Sequence, residues 1–84
     1  MQLRSQDLAV SHLDDETVLL DLRKSSYISV KGSGVELVRL LSDNRSETDL
    51  VSALVAKFDV GEAQAATDVR QFLDGMRDRG LLDE

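Results

Sequence analysis

Between Thr17 and Val30 polar and apolar side chains fall into two β-rich runs, Thr17-Val18-Leu19-Leu20-Asp21-Leu22 and Tyr27-Ile28-Ser29-Val30, joined by the polar link Arg23-Lys24-Ser25-Ser26. Two such runs around a short polar link predict a β-hairpin. Val18, Leu20 and Leu22 share one face of the first strand, and Ile28 and Val30 one face of the second. Each strand can therefore turn one side to a core. Upstream, Asp7 to Leu13 places Leu8, Val10 and His12 on one face, and Asp14-Asp15-Glu16 makes a polar turn. That predicts a first strand and a three-stranded antiparallel meander with Tyr27 to Val30 at its edge. Residues 1–6 read as a loose polar terminus.

After Val30 the apolar spacing lengthens to three and four residues. Val35, Leu37, Val38, Leu40 and Leu41 form one set, and Leu50, Val51, Leu54, Val55 and Phe58 another. A third helix runs from about Gly61 to Arg79 with a stripe of Ala65, Val69, Phe72, Leu73 and Met76, and Gly80 is placed to stop it. Capping-box spacing recurs at Ser33 to Glu36, Ser46 to Asp49 and Asp59 to Glu62, marking three helix starts. Leu81 and Leu82 are expected to fold back as an apolar plug. The expected architecture is α+β, a three-stranded antiparallel sheet followed by three helices, with the element inventory of a winged helix-turn-helix.

No later segment is evidently available to pair with the outer side of Tyr27 to Val30. A free strand edge exposes a row of N–H and C=O groups, which some proteins use to capture a peptide as an added strand. On a wheel at 100° per residue, Val69, Phe72, Leu73 and Met76 of the third helix face one way. Arg70 and Arg77 flank that stripe on one side, and Asp68 and Arg79 on the other. Beside the edge strand, such a helix would complete a groove with an apolar floor and a charged rim. Periodicity alone favours the plainer reading, in which the stripe is core and the charges are solvated.

The 84 residues allow one domain, residues 1–84, with one modest core. There is no Cys, and the single His12 leaves no cluster for zinc or for a His-based triad, so no catalytic residue, metal or cofactor is expected. Lys31-Gly32-Ser33-Gly34 has a superficial look of a phosphate loop but lacks the Walker spacing, and reads as a strand-to-helix turn with Ser33 as cap. The formal charge of −6 repels phosphate backbones and anionic lipid, so nucleic acid and membrane are not expected partners. No apolar run approaches the ~20 residues that span a bilayer, and the start lacks a signal-peptide core. The expected location is cytoplasmic.

The ordered set Val18-Leu19-Leu20-Asp21-Leu22, Tyr27-Ile28-Ser29-Val30, Gly34-Val35-Glu36-Leu37, Phe58-Asp59-Val60, Ala66-Thr67-Asp68-Val69, Phe72-Leu73 and Arg79-Gly80-Leu81-Leu82 resembles the PqqD-like family over roughly residues 8–82. These are the RiPP recognition elements. Lys31, Val38 and Ser25 stand where that family often has Asn, Trp and Gly. The resemblance implies a non-catalytic module that binds the leader of a ribosomally made precursor, most similar to the discrete leader-binding partners of lasso-peptide leader peptidases. The implied partners are the leader and a separate peptidase or maturation enzyme. It also implies an extended leader lying antiparallel to the third strand. Carried onto this chain, the wall is Tyr27, Ile28, Ser29, Val30 and Lys31, and the pocket draws on Asp68, Val69, Phe72, Leu73 and Met76. Arg70 and Arg77 are candidates for the rim, and Phe72→Asp or Met76→Asp is expected to abolish binding with the fold intact. The alternatives are a PqqD-type partner of a radical-SAM maturase and a small winged-helix DNA regulator.

Overall fold

The computed structural model describes residues 1–84. Its elements are β1 (Gln2–Leu3), β2 (Leu8–His12), β3 (Glu16–Asp21), β4 (Ser26–Lys31), α1 (Ser33–Leu40), α2 (Glu47–Phe58), α3 (Glu62–Asp78) and β5 (Leu82–Asp83). The middle strands form the expected meander in the order β2-β3-β4, antiparallel throughout. At the β3–β4 hairpin Ser25 takes a left-handed φ of 53°, a conformation that favours glycine.

The ends of the chain depart from expectation. Residues 1–6 are not loose: β1 and β5 pair antiparallel, with Gln2 opposite Asp83 and Leu3 opposite Leu82. The Leu3 N–H donates to Leu41 O at 2.9 Å, and the Arg4 N–H to Leu81 O at 2.8 Å. Arg4 itself is buried. Its guanidinium donates to Asp21 Oδ1 at 2.7 Å and to the carbonyls of Gly80, Asp7 and Gln6. One cation thus joins the amino-terminal arm, β3 and the turn after α3, with every buried polar side-chain atom satisfied.

Strand β3 carries its phase opposite to a simple hydrophobic reading. Thr17, Leu19 and Asp21 face inward and are buried, while Leu20 and Leu22 are exposed. Pairing explains the inversion. Asp21 is neutralised by Arg4, and the Thr17 hydroxyl lies 3.0 Å from His12 Nδ1, so both polar groups enter with partners. Ile28 and Val30 of β4, opposite Leu19 and Thr17, turn the same way and are half-buried.

Two caps also differ. Gly32, at φ 61°, caps α1 without a side-chain bond, because the tight turn out of β4 already makes Ser33 helical. Asp59 does not start α3 but ends α2 in the left-handed conformation, and Gly61 caps α3. The middle helix has the full capping box: Ser46 Oγ accepts from Asp49 N–H, and Asp49 Oδ2 accepts from Ser46 N–H. Those bonds hold the Asp49 carboxyl below its ordinary value. Ser46→Ala is expected to cost about 1 kcal/mol of unfolding free energy, read as an earlier urea midpoint with an unchanged slope.

The buried apolar residues form two clusters. One joins Leu37, Leu41, Leu50, Leu54, Ala65, Val69 and Leu73 between the three helices. The other joins Leu19, Val38, Met76 and Leu81 between sheet and helices, with Ile28, Val30 and Phe72 packed against it. Gly80, at φ 70°, ends α3 and turns the chain so that Leu81 enters this second cluster.

Candidate functional site

The phase of the sheet hydrogen bonds decides what β4 offers. Leu13 N–H donates to Glu16 O and Leu22 N–H to Asp7 O. The even-numbered β3 positions therefore bond to β2, and Thr17, Leu19 and Asp21 bond to Val30, Ile28 and Ser26 of β4. That leaves the N–H and C=O groups of Tyr27, Ser29 and Lys31 pointing away from the sheet. No other backbone group of the chain bonds to them. This edge is free in its own molecule.

Helix α3 lies along the inner side of that edge, running opposite to β4. Phe72 and Val30 meet at Gly34, where an added Cβ would come within 3.3 Å of Val30 Cβ and 3.6 Å of the Phe72 ring. Toward the other end, Asp78, Arg79 and Leu81 border a cavity of about 110 Å³ with Leu19, Asp21, Lys24, Ser26, Tyr27 and Ile28. The groove therefore has an apolar end at Val30, Gly34 and Phe72, and an end ringed by charges under the hairpin. A hydrogen bond from Arg4 holds the Asp21 carboxyl below its ordinary value of 3.8, so it stays an anion at this rim near neutral pH. Lys24 Nζ reaches Arg79 O at 3.4 Å, bridging hairpin and helix end.

The structure brings only part of the expected set together. Tyr27, Ile28, Ser29, Val30 and Lys31 form the wall, and Phe72 and Asp68, both half-buried, lie on the flank of α3 that Phe72 turns toward β4. Met76 lies beneath, 3% exposed, in contact with Leu19, Val38 and Leu81. A carboxylate there would enter the core, so Met76→Asp would not leave the fold intact. Val69 and Leu73 are at the centre of the stripe and are sealed against α1 and α2. Arg70 and Arg77 lie on the far flank: Arg70 faces Glu47 at 3.7 Å, and Arg77 donates to both carboxylate oxygens of Glu84. The groove residues that periodicity did not mark are Gly34, which no stripe can mark, and Lys24, Ser26 and Asp78, which border it because the β3–β4 hairpin packs against the end of α3.

A larger hollow of about 410 Å³ lies between α2 and α3, floored by Val51, Val55, Ala56 and Ala66 and bordered by Glu47 and Glu62. It does not reach β4.

Solved structures and a family model place this architecture among known proteins. No curated protein sequence matches the chain. The structure of TbiB1 in complex with the TbiA(beta) leader peptide is similar with a TM-score of 0.89 and 29% identity, covering 99% of this chain and 95% of that one. The structure of lasso peptide synthetase B1 complexed with the leader peptide is similar with a TM-score of 0.82 and 25% identity, covering 95% of this chain and 93% of that one. Residues 16–82, from β3 to the first residue of β5, match the family model for coenzyme PQQ synthesis protein D, PqqD. The chain belongs to the PqqD family.

Proposed function

We propose that this protein is a non-catalytic recognition module that binds the leader of a ribosomally made precursor peptide, of the lasso-peptide class, as a fourth strand on β4. It hands the loaded leader to a separate peptidase or maturation enzyme in the cytoplasm. The observation that carries this reading is the outward row of Tyr27, Ser29 and Lys31 backbone groups beside an apolar groove. Two similar structures, each a complex with a leader peptide, support it.

The register follows from the pleat. Leader residues opposite Tyr27, Ser29 and Lys31 exchange hydrogen bonds and point their side chains to the outer face. Those opposite Val30 and Ile28 point inward. An antiparallel leader therefore sets two anchors, two residues apart. The first meets Val30 and Phe72, and the second enters the cavity bordered by Ile28, Leu81 and Arg79. About four strand bonds at ~1 kcal/mol each and two anchors at ~1.5–3 kcal/mol each exceed the ~2–5 kcal/mol cost of ordering the peptide. Micromolar affinity is within reach. Backbone pairing accepts any sequence, so the anchors carry the selectivity.

The same helix is poorly suited to a nucleic-acid backbone. Arg70 and Arg77 are already engaged with Glu47 and Glu84, and the same helix exposes the carboxylates of Glu62, Asp74 and Asp78. The test is fluorescence anisotropy with a labelled synthetic leader from the adjacent precursor gene. Saturable binding at about 1–10 μM is expected, with none for a shuffled peptide. Equal binding of both peptides, or none up to about 100 μM, overturns the proposal.

A further inference from the structure

The outer face of β4 carries a pattern that the groove does not use. Lys31 is the sole charged side chain of the strand, it is exposed, and it has no carboxylate at ion-pair distance. Glu16 lies directly opposite it on β3, yet the Glu16 carboxylate is taken by the Ser29 hydroxyl, which donates to Oε2 at 2.6 Å. At the other end Tyr27 is 71% exposed, and Leu20, its neighbour across the ladder, is exposed as well. The outer row of β4 is therefore a free cation, a bonded carboxylate and a bare aromatic ring. Lys31, Ser29 and Tyr27 are also the residues whose backbone groups face an incoming strand, so each stands directly beside one of its side chains.

We infer that this row selects the register of the leader: Lys31 takes an acidic side chain, and Tyr27 takes an apolar one four residues nearer the leader's carboxyl end. The inference rests on the reading of β4 as the leader's edge. Antiparallel pairing sets the order, because a strand running against β4 meets Lys31 first and Tyr27 last. Between them, Glu16 is held beside Ser29 and repels an acid at that position. Slipping the leader by two residues keeps its inward side chains inward but moves its acid from an ammonium to a carboxylate. Local charge decides this contact rather than the net −6, since at ~0.1 M salt charges more than ~10 Å away are largely screened.

The test uses the labelled synthetic leader from the adjacent precursor gene, with each of its acidic residues changed singly to Lys, in anisotropy titrations at ~50 mM salt. One such change is expected to weaken binding to the parent about fivefold. Lys31→Glu is expected to weaken the unchanged leader by a similar factor and to bind that one Lys-bearing leader as the parent binds the unchanged one. Should Lys31→Glu lose its fold beside Glu16, Lys31→Gln is expected to bind the acidic and Lys-bearing leaders alike. Changing the leader residue four positions later to Ser is expected to weaken binding to the parent about threefold, and to have no further effect on Tyr27→Ser. If no acidic position shows this exchange with Lys31, or the later position is not coupled to Tyr27, the inference is overturned while leader binding stands. If the unchanged leader does not bind at all, the reading of β4 falls and the inference with it.

Discussion

Ser29→Pro is expected to weaken leader binding about 30-fold while the protein stays folded. The Ser29 N–H points away from β3, so proline removes a group that the sheet does not use. An incoming strand loses that bond, and the ring displaces it from the paired Ser29 carbonyl. Two bonds at ~1 kcal/mol each correspond to roughly this factor. Two controls bracket the result. Ser29→Ala breaks only the hydroxyl bond to Glu16 Oε2 at 2.6 Å and is expected to bind like the parent. Val30→Pro deletes a ladder bond to Thr17 and is expected to destabilise the whole domain. Anisotropy titration with circular dichroism reads all three. A folded Ser29→Pro that binds normally would place the peptide elsewhere.

The second large effect is on stability. Arg4→Met is expected to lower Tm by on the order of 10–20 °C, because it strands the buried Asp21 carboxylate and three carbonyls at once. Adding Asp21→Leu removes the stranded charge and is expected to recover a substantial part of the loss, as scanning calorimetry would show. A double variant no better than the single one would mean that Arg4 acts through its carbonyl bonds alone. The acid limb gives an independent check. The Arg4 hydrogen bond lowers the Asp21 pKa in the folded state, so its stabilisation is complete above the ordinary value of 3.8 and is lost as pH falls through the lowered one. Asp49, held down by Ser46, and Glu84, held down by Arg77, act in the same direction. Tm is expected to be flat above about pH 5 and to fall below pH 4, with a shallower fall in Arg4→Met.

Local signals made much of the fold legible. The hairpin, the helical stripes and the Ser46 capping box each depend on residues a few positions apart, and each is present. The β1–β5 pairing was not legible, since two-residue strands carry no period and their partners lie at opposite ends of the chain. The phase of β3 was hidden for a related reason. Thr17 and Asp21 become acceptable inside only once His12 and Arg4 are beside them. At the site, the β4 wall could be read from the order of elements, whereas the helix side could be read only in part. Helix α3 has neighbours on two sides, so one apolar stripe serves both: Val69 and Leu73 turn to α1 and α2, and Phe72 turns to β4. Lys24 and Ser26 meet Arg79 because the β3–β4 hairpin packs against the end of α3, a long-range contact that spacing along the chain does not reveal.

The β1–β5 clip also sets an order of events during synthesis. The meander can pair as soon as it leaves the ribosome, but Leu81 and Leu82 emerge only after the sheet and all three helices, and only then can Arg4 reach the Gly80 carbonyl. Until that moment the nascent chain shows the greasy inner faces of Leu19, Ile28 and Val30 between two unpaired strand margins. That interval is where a chaperone would be most needed, and where premature sticking to another copy would do most harm.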